Sequence, residues 1–233
     1  GGGWVADTAT VAETAIVSDN ANVYGSAQVG GTAKVYGNAK VYGNAYVCGT
    51  ACVFGNAYVF GNAYVFDNAY VCGKARVYGS ANVYGSAKVY GNARIYDTAC
   101  VFGNAFVFDN ARVYDNAWVY GYAAVYGNAK VSNTACVFDN AKVGGTAKVY
   151  GRVKVGGNTL VESGSQKAIK TASDPEQKSQ KTKKEENWLK VVTAKMTPCD
   201  WCLRKVRKGT AMYEAKVSSG HLHICTTCYK KHK

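Results

Sequence analysis

Four cysteines near the C-terminal end of the chain stand in two pairs, each with two residues between the thiols. The pairs are Cys199 with Cys202 and Cys225 with Cys228. Thiolates at this spacing suit tetrahedral coordination of zinc, and four protein ligands leave no open position for a substrate. The pattern therefore predicts a structural zinc site held by all four cysteines. His221 or His223 could take the place of one cysteine, and the sequence leaves that choice open.

The residues between the two pairs predict the elements that position them. Residues 207–210 have turn composition, 211–217 have strand character, 218–220 form a second turn and 221–224 a second strand. This order resembles a treble-clef or zinc-ribbon finger. A domain of about 35 residues needs such a cross-link because its apolar core is small. The basic residues of the finger could bind nucleic acid or an acidic protein. The candidates are Arg204, Lys205, Arg207 and Lys208.

We expect three parts in the chain: a repeat region over residues 1–162, a basic polar linker over 163–187 and the zinc-binding finger over 188–233. Within the linker, residues 174–177 combine a capping Asp with a Pro at the first helical position, which predicts a short polar helix there. An apolar cluster follows, and we expect it to pack on the finger or on the last coil of the repeats. Its members are Trp188, Leu189, Val191 and Val192.

A six-residue unit repeats 26 times without a gap from Val5 to Leu160. Its first residue is Val, replaced once by Ile95, and its fifth is Ala from Ala9 to Ala147. Inward and outward residues alternate in the period-2 manner of a strand. A glycine–asparagine pair, or a close equivalent, then forms a corner because both residues tolerate positive φ. The units are predicted to wind as four-residue strands joined by two-residue corners, each strand stacking on the strand one coil earlier.

This repeat resembles the hexapeptide repeat of left-handed parallel β-helices, in which three hexads form one triangular coil of 18 residues. The resemblance covers about two thirds of the chain. It implies an all-β fold of about nine coils with left-handed crossovers, which depart from the usual rule for parallel strands. The expected architecture is therefore a left-handed parallel β-helix followed by a small zinc-finger domain, with valine and alanine buried between neighbouring coils.

Every third hexad lies on the same face of such a helix. On the first face, six basic residues stand directly before the core position, and we call them the cation column: Lys40, Arg76, Arg94, Arg112, Lys130 and Lys148. A mostly aromatic column from Tyr24 to Tyr150 runs beside it. Cations beside rings suit phosphates and stacked bases, although a repeat of about 4.8 Å matches neither a DNA strand nor an extended single strand. The alternative is that the rings stack on one another while the cations keep the surface soluble.

The second and third faces are rich in aromatic residues and poor in charge. Exposed aromatic surface suits contact with another protein or with a second copy of the chain. The candidate protein-contact residues, all on the second face, are Phe66, Tyr84, Phe102, Trp118, Tyr120 and Phe138.

Familiar proteins of the hexapeptide-repeat family include acyltransferases and carbonic anhydrases, which use histidines on or near the helix. Here all three histidines follow the repeats, and no hexad is interrupted by a loop. Several aspartates occupy the glycine position of the corner, where aspartate serves as a turn former. These are Asp67, Asp97, Asp109, Asp115 and Asp139. We therefore expect no enzymatic activity and keep an acyltransferase as a minor alternative.

A second group of five cysteines lies within the repeats: Cys48, Cys52, Cys72, Cys100 and Cys136. The candidate pairs are Cys52 with Cys72 and Cys100 with Cys136. Strand geometry places them about 8 Å and about 9.6 Å apart, beyond the limit of about 7 Å between bridged Cα atoms. We expect free thiols and a reducing compartment.

The formal net charge is +13, which suggests an acidic partner. No run approaches the ~20 apolar residues of a membrane span and no leader is visible, so we expect a cytoplasmic protein without membrane contact.

The leading hypothesis is a non-enzymatic binding or scaffold protein, in which a rigid helix contacts a partner protein or a second copy. Its finger would engage nucleic acid, a ribonucleoprotein or a nucleic-acid-processing complex, as an inhibitor or accessory factor. The alternative is a self-assembling structural protein.

Overall fold

The repeat region winds into a parallel β-solenoid of about nine coils. The computed structural model describes residues 2–166 and the strand segments 189–192, 197–198, 205–206, 211–217 and 220–225. No helix occurs in these parts of the chain, and so none of their elements is a helix long and apolar enough to cross a membrane. The predicted all-β solenoid is confirmed. The linker and its predicted short helix lie outside the described residues, apart from residues 163–166.

Each face of the solenoid is one parallel sheet, in which strands pair with the strand 18 residues earlier, except that Ser165–Gln166 pairs with Lys148–Val149 at a separation of 17 residues. The first sheet has ten strands: Trp4–Val5, Asn22–Val23, Lys40–Val41, Tyr58–Val59, Arg76–Val77, Arg94–Ile95, Arg112–Val113, Lys130–Val131, Lys148–Val149 and Ser165–Gln166. The second has nine: Thr10–Val11, Gln28–Val29, Tyr46–Val47, Tyr64–Val65, Asn82–Val83, Cys100–Val101, Trp118–Val119, Cys136–Val137 and Lys154–Val155. The third also has nine: Ile16–Val17, Lys34–Val35, Cys52–Val53, Tyr70–Val71, Lys88–Val89, Phe106–Val107, Ala124–Val125, Lys142–Val143 and Leu160–Val161.

The strands are shorter than expected, because the corners are longer. A four-residue strand was predicted for each hexad, but only the core residue and the residue before it are strand. At many corners the alanine N–H donates back to the carbonyl of the aromatic residue, as from Ala81 to Tyr78 at 3.4 Å, which makes a four-residue turn. Gly79, the first central residue of this turn, has φ of 70°, the region that glycine enters at no steric cost. Within the hexads, positive φ occurs at this first corner position and not at the second.

The interior consists of stacked files of valine and alanine. From Ala21 to Val149 every core valine and alanine is essentially inaccessible to solvent, and Ile95 is the largest side chain among them. Each fully buried valine contributes about 1.5–3 kcal/mol through removal of apolar surface from water. Because the valines and alanines of one coil are covered by those of the coils next to it, this stabilisation exists only for stacked coils.

The chain divides into two compact units, Gly1–Pro175 and Glu176–Lys233. In the second unit, Leu189–Val192, Ala211–Val217 and Gly220–Cys225 form an antiparallel sheet with Ala211–Val217 in the centre. Thr197–Pro198 and Lys205–Val206 form a separate antiparallel pair. The hairpin predicted between the two cysteine pairs is therefore present, and the apolar segment before it adds a third strand to the same sheet.

Candidate functional site

The cation column occupies the first sheet as predicted. Arg76, Arg94, Arg112, Lys130 and Lys148 pair with one another on five consecutive strands. Lys40 stands two strands before Arg76, with Tyr58 between them. The ring centroid of Tyr58 lies 5.8 Å from Lys40 Nζ and 5.6 Å from Arg76 Cζ, within cation–π range. The six cations thus form one strip along the solenoid, interrupted once by Tyr58.

No residue of opposite charge stands in this strip. The first-sheet residues that precede the core positions, from Trp4 to Lys148, include no carboxylate. Like charges directly opposite each other on neighbouring strands are destabilising, so the five adjacent cations repel one another. The nearest aspartates of this face, Asp97 and Asp115, lie at the corner beyond the aromatic column. An anionic partner along the strip would relieve the repulsion.

The aromatic column beside the cations forms a continuous stack, which we call the first-face stack. Neighbouring rings are 4.8–5.0 Å apart between centroids and within 4° of parallel. Its members are Tyr24, Tyr42, Phe60, Tyr78, Tyr96 and Tyr114. Each inner ring has both faces covered by its neighbours. Nucleic-acid bases therefore cannot stack on the inner rings, and ring edges face outwards instead.

Five of the six candidate protein-contact residues form a similar stack on the second face, the second-face stack: Phe66, Tyr84, Phe102, Tyr120 and Phe138. All five are half-buried. Burial raises the pKa of Tyr84 and of Tyr120 to about 12, with smaller contributions from nearby cysteine and aspartate. Each of these tyrosines lies between two phenylalanines, which explains the desolvation of its hydroxyl.

Trp118, the sixth candidate, lies in a different column and is 43% exposed. Its ring meets Phe102 edge-on at 6.0 Å. Tyr122, at 65% exposure, is a contact candidate that sequence reasoning missed. The sequence feature that could have identified Tyr122 is an aromatic residue at the corner position that asparagine usually occupies. The exposed aromatic surface is thus made of single rings such as Trp118 and Tyr122, together with the edges of the stacks.

Two stacks end where a glycine replaces the next ring: the second-face stack, and a third-face stack of Tyr90, Phe108 and Tyr126. Tyr126 leans over Gly144 and Phe138 over Gly156, and a Cβ on either glycine would collide with that ring. Sequence reasoning did not identify these ends. Their signal was a Gly-Gly pair directly after a core valine, at 144–145 and at 156–157. Because glycine has no side chain, the last ring of each stack can lie over the glycine and cover the end of the stack.

The corner aspartates are turn formers, as expected, and each also links two coils. Asp67, Asp97, Asp109, Asp115 and Asp139 have φ of 55–57°. The carboxylate of each accepts a hydrogen bond from the backbone N–H at the corner 18 residues later, at 2.9–3.2 Å. Asp19 does the same for Gly37, and Asn133 for Gly151 through its amide oxygen. These carboxylates are therefore engaged in holding the corners together.

The five cysteines of the solenoid are free thiols, as predicted from strand geometry. All are half-buried. Burial raises the pKa of the Cys48, Cys72, Cys100 and Cys136 thiols above the usual range. Thiols of this kind are poor nucleophiles at neutral pH.

One of the four predicted zinc ligands lies among the described residues. Cys225 ends the strand Gly220–Cys225, whereas Cys199, Cys202 and Cys228 lie outside the described residues. Of the finger cations, Lys205 belongs to the strand Lys205–Val206, and Arg204, Arg207 and Lys208 also lie outside. His221 and His223 both lie in the strand that leads to Cys225. Among the described residues, no group of three or more histidine, cysteine or acidic side chains could hold a metal ion.

A cavity of about 240 Å³ opens on the first face where the aromatic column is broken. It is lined by Tyr114, Lys130, Ser132, Asn133, Lys148, Val149 and Tyr150. Ser132 stands where the other coils from Tyr24 to Tyr150 carry a ring. Two residues of the cation column therefore border a space of ring size.

Residues 105–121 match the family model described as the YdcK beta solenoid repeat. The matched stretch contains one strand from each of the three sheets, Phe106–Val107, Arg112–Val113 and Trp118–Val119. No curated protein shows significant similarity to the chain. The repeat is therefore similar to a known β-solenoid repeat over 105–121, in agreement with the parallel solenoid observed from Trp4 to Gln166.

Proposed function

We propose that the chain is a non-enzymatic scaffold protein, in which a rigid left-handed solenoid binds an acidic partner protein along the cation column. The unbroken strip from Arg76 to Lys148, with no carboxylate among its neighbours in the column, carries this proposal. The cations stand on a regular framework whose strands cannot move independently, because every coil is hydrogen-bonded to the next. A rigid array of this kind favours a partner with a matching row of acidic groups.

The absence of catalysis is part of the proposal. The corner aspartates already accept backbone N–H groups and hold positive φ, so they are poorly placed for proton transfer to a substrate. The raised pKa of the buried thiols disfavours nucleophilic catalysis by cysteine.

Neutralisation of the column tests the binding proposal. The triple variant Arg76→Gln, Arg94→Gln, Arg112→Gln removes three charges from the first face. The control Lys34→Gln, Lys88→Gln, Lys142→Gln removes the same charge from the third face. Poly-L-glutamate serves as the acidic probe in isothermal titration at several salt concentrations. We expect about tenfold weaker binding for the first variant and a small change for the control. Equal losses in both would mean that only net charge matters and would contradict the proposal.

The second part of the proposal is that the C-terminal unit is a zinc finger that engages nucleic acid or a complex that processes it. The hairpin Ala211–Val217 and Gly220–Cys225 supports this. It begins after the first cysteine pair in the sequence, and its second strand ends at Cys225, the first cysteine of the second pair. Four thiolates at the observed sequence spacing suit zinc.

Metal analysis and nucleic-acid binding test the finger together. We expect one zinc per chain, lost when the four finger cysteines are changed to serine and retained when Cys48, Cys100 and Cys136 are changed instead. Anisotropy of a labelled single-stranded oligonucleotide should fall with the zinc. Zinc that survives the four-fold change would exclude this site. Oligonucleotide binding that survives loss of zinc would place nucleic-acid contact elsewhere.

Self-assembly through the aromatic faces is the competing function. The half-buried, internally stacked rings do not favour it over the scaffold, because their faces are already covered within one chain. Light scattering of the purified chain separates the two. A small monodisperse species agrees with the scaffold, and growth into filaments with concentration would contradict it.

A further inference from the structure

The first face contains an opening of one ring's thickness. Neighbouring rings of the first-face stack are 4.8–5.0 Å apart, and the column skips one coil at Ser132. Tyr114 and Tyr150 therefore belong to coils about 9.6 Å apart, two strand spacings. One planar ring inserted midway between them would lie as far from each tyrosine as neighbouring rings of the first-face stack lie from each other. We call this space the Ser132 slot.

The slot is not closed by the protein itself. Where the other two stacks stop, Tyr126 and Phe138 lie over glycines and cover the gap. At Ser132 a cavity of about 240 Å³ persists, and Tyr114 and Tyr150 are among the residues that line it. Ser132 is 6% exposed and lines the cavity with its hydroxyl-bearing side chain. A ligand could therefore use both ring faces and a polar group.

Charge around the slot is asymmetric. On one side Lys130 and Lys148 line the cavity and pair on adjacent strands, with Arg112 on the next strand beyond. On the other side Asn133 donates a hydrogen bond from its side-chain nitrogen to Asp115 at 2.9 Å. Its amide oxygen accepts from the Gly151 N–H at 3.1 Å. A bound ring would thus have a cationic side and a side occupied by a carboxylate and its partner amide.

We propose that the Ser132 slot binds a small planar aromatic molecule that carries an anionic group. The ring inserts between Tyr114 and Tyr150, and the anion pairs with Lys130 and Lys148. Stacking between two rings contributes contact on both ligand faces, and the two lysines select a negative substituent. Asp115 repels the opposite orientation. The proposal does not depend on the partner of the cation column, since it needs only residues at one end of it.

Ligand chemistry is tested with three matched probes on the full chain by isothermal titration. 2-Naphthoate combines a planar ring with a carboxylate, 2-naphthalenemethanol has the ring without the charge, and cyclohexanecarboxylate has the charge without the aromatic ring. We expect saturable binding of 2-naphthoate and about tenfold or weaker binding of the other two. Absence of saturable 2-naphthoate binding would overturn the proposal. Equal binding of 2-naphthalenemethanol would overturn the assignment of an anionic ligand.

The location is tested by filling the slot. Ser132→Tyr completes the stack and should abolish 2-naphthoate binding while leaving the circular dichroism spectrum and melting temperature unchanged or raised. Ser86→Tyr is the control, because Ser86 occupies the corner position at which Tyr122 shows that the fold accepts tyrosine. If Ser132→Tyr does not fold, Tyr150→Ala removes one wall and should weaken binding about tenfold. Binding that is unchanged in Ser132→Tyr, or in Tyr150→Ala, would overturn the site.

The lysines are tested separately. Lys130→Gln with Lys148→Gln should weaken 2-naphthoate binding about tenfold and leave 2-naphthalenemethanol unaffected. Lys142→Gln with Lys88→Gln, on the third face, should change neither. Retention of full 2-naphthoate affinity without Lys130 and Lys148 would contradict their assigned role.

Discussion

Asp109 accepts a hydrogen bond from the backbone N–H of Gly127 at 3.0 Å, although the two residues are 18 positions apart. The aspartate has φ of 57°, a conformation that usually falls to glycine. Its side chain thus gives the corner something that glycine cannot, an acceptor for the N–H of the next corner. The same relationship joins Asp67 to Gly85 and Asp139 to Gly157.

Substitutions at Asp109 separate the contribution of the carboxylate as a hydrogen-bond acceptor from the cost of a side chain at positive φ. Asp109→Gly keeps the backbone conformation and loses the acceptor, so we expect a loss of about 0.5–1.5 kcal/mol. Asp109→Ala loses the acceptor and also places a side chain without local hydrogen bonding at positive φ, adding about 1–2 kcal/mol. Urea denaturation measures both, and amide exchange at Gly127 should accelerate in either variant. Equal stability of the two variants would contradict a conformational cost at this corner.

The ring stacks are expected to stabilise neighbouring coils measurably. Phe102 stacks on Tyr84 at 4.9 Å and on Tyr120 at 5.0 Å, and it meets Trp118 edge-on. Phe102→Ala should cost about 2–3 kcal/mol, from lost burial and three ring contacts. Phe54→Ala is the matched comparison, because Phe54 stacks on Tyr36 alone, and it should cost about half as much. Denaturant midpoints that rank the two in the reverse order would show that stacking is not the main term.

Stability should fall at alkaline pH because of two half-buried tyrosines, Tyr84 and Tyr120. In the folded chain the pKa of Tyr84 and of Tyr120 is about 12, above the unfolded value of 10. Between these values the unfolded state releases protons that the folded state keeps, so the free energy of unfolding decreases as pH rises. The contribution is complete below pH 10 and is lost as pH rises through about 12.

Melting temperatures between pH 9 and 12 measure this effect. The double variant Tyr84→Phe, Tyr120→Phe retains both rings without ionisable hydroxyls, so its melting temperature should decline less steeply than that of the wild type. Tyr24→Phe, at the start of the first-face stack, provides a comparison with the same chemical change. An identical pH profile for the double variant and the wild type would refute the assignment.

The solenoid thiols should react slowly while the chain is folded. Burial raises the pKa of Cys100 and Cys136, which lowers their thiolate fraction, and only the thiolate reacts with iodoacetamide. At pH 8 we expect alkylation at least tenfold slower than in guanidinium, followed peptide by peptide by mass spectrometry. Cys48 and Cys72 should behave alike, since burial raises their pKa as well. Native and denatured rates that agree would mean that these thiols are not protected.

Periodicity explains how much of the fold the sequence could predict. A repeat of six, with the three units per coil that the resemblance to the hexapeptide-repeat family implies, determines that Arg94 stands between Arg76 and Arg112, and the strand register agrees. The inward direction of valine and alanine follows from the same alternation. Handedness does not follow from it, because period and inward–outward order are the same for both hands.

Features that depend on side-chain torsions between coils could not be predicted in this way. Sequence places Ser132 after Tyr114 and Gly144 after Tyr126 in equivalent columns. It does not show that Tyr126 lies over its glycine while a cavity remains beside Tyr114. The strand length was wrong for a similar reason, since the hydrogen bond from Ala81 to Tyr78 draws both residues into the corner.

The uniform interior has a consequence for how the coils find their correct stacking register. A slip of 18 residues would leave the buried valine and alanine files almost unchanged, with Ile95 as the main misfit. Such a slipped state loops out one coil of 18 residues, but the remaining coils bury the same valine and alanine contacts wherever that loop lies, so the core does not determine which coils stack on one another. Discrimination must come from outside residues that differ from coil to coil, including the ring runs, the aspartate acceptors and the glycines beneath Tyr126 and Phe138. The irregularities of the surface are thus what make one alignment of a nearly identical repeat preferable to its neighbours.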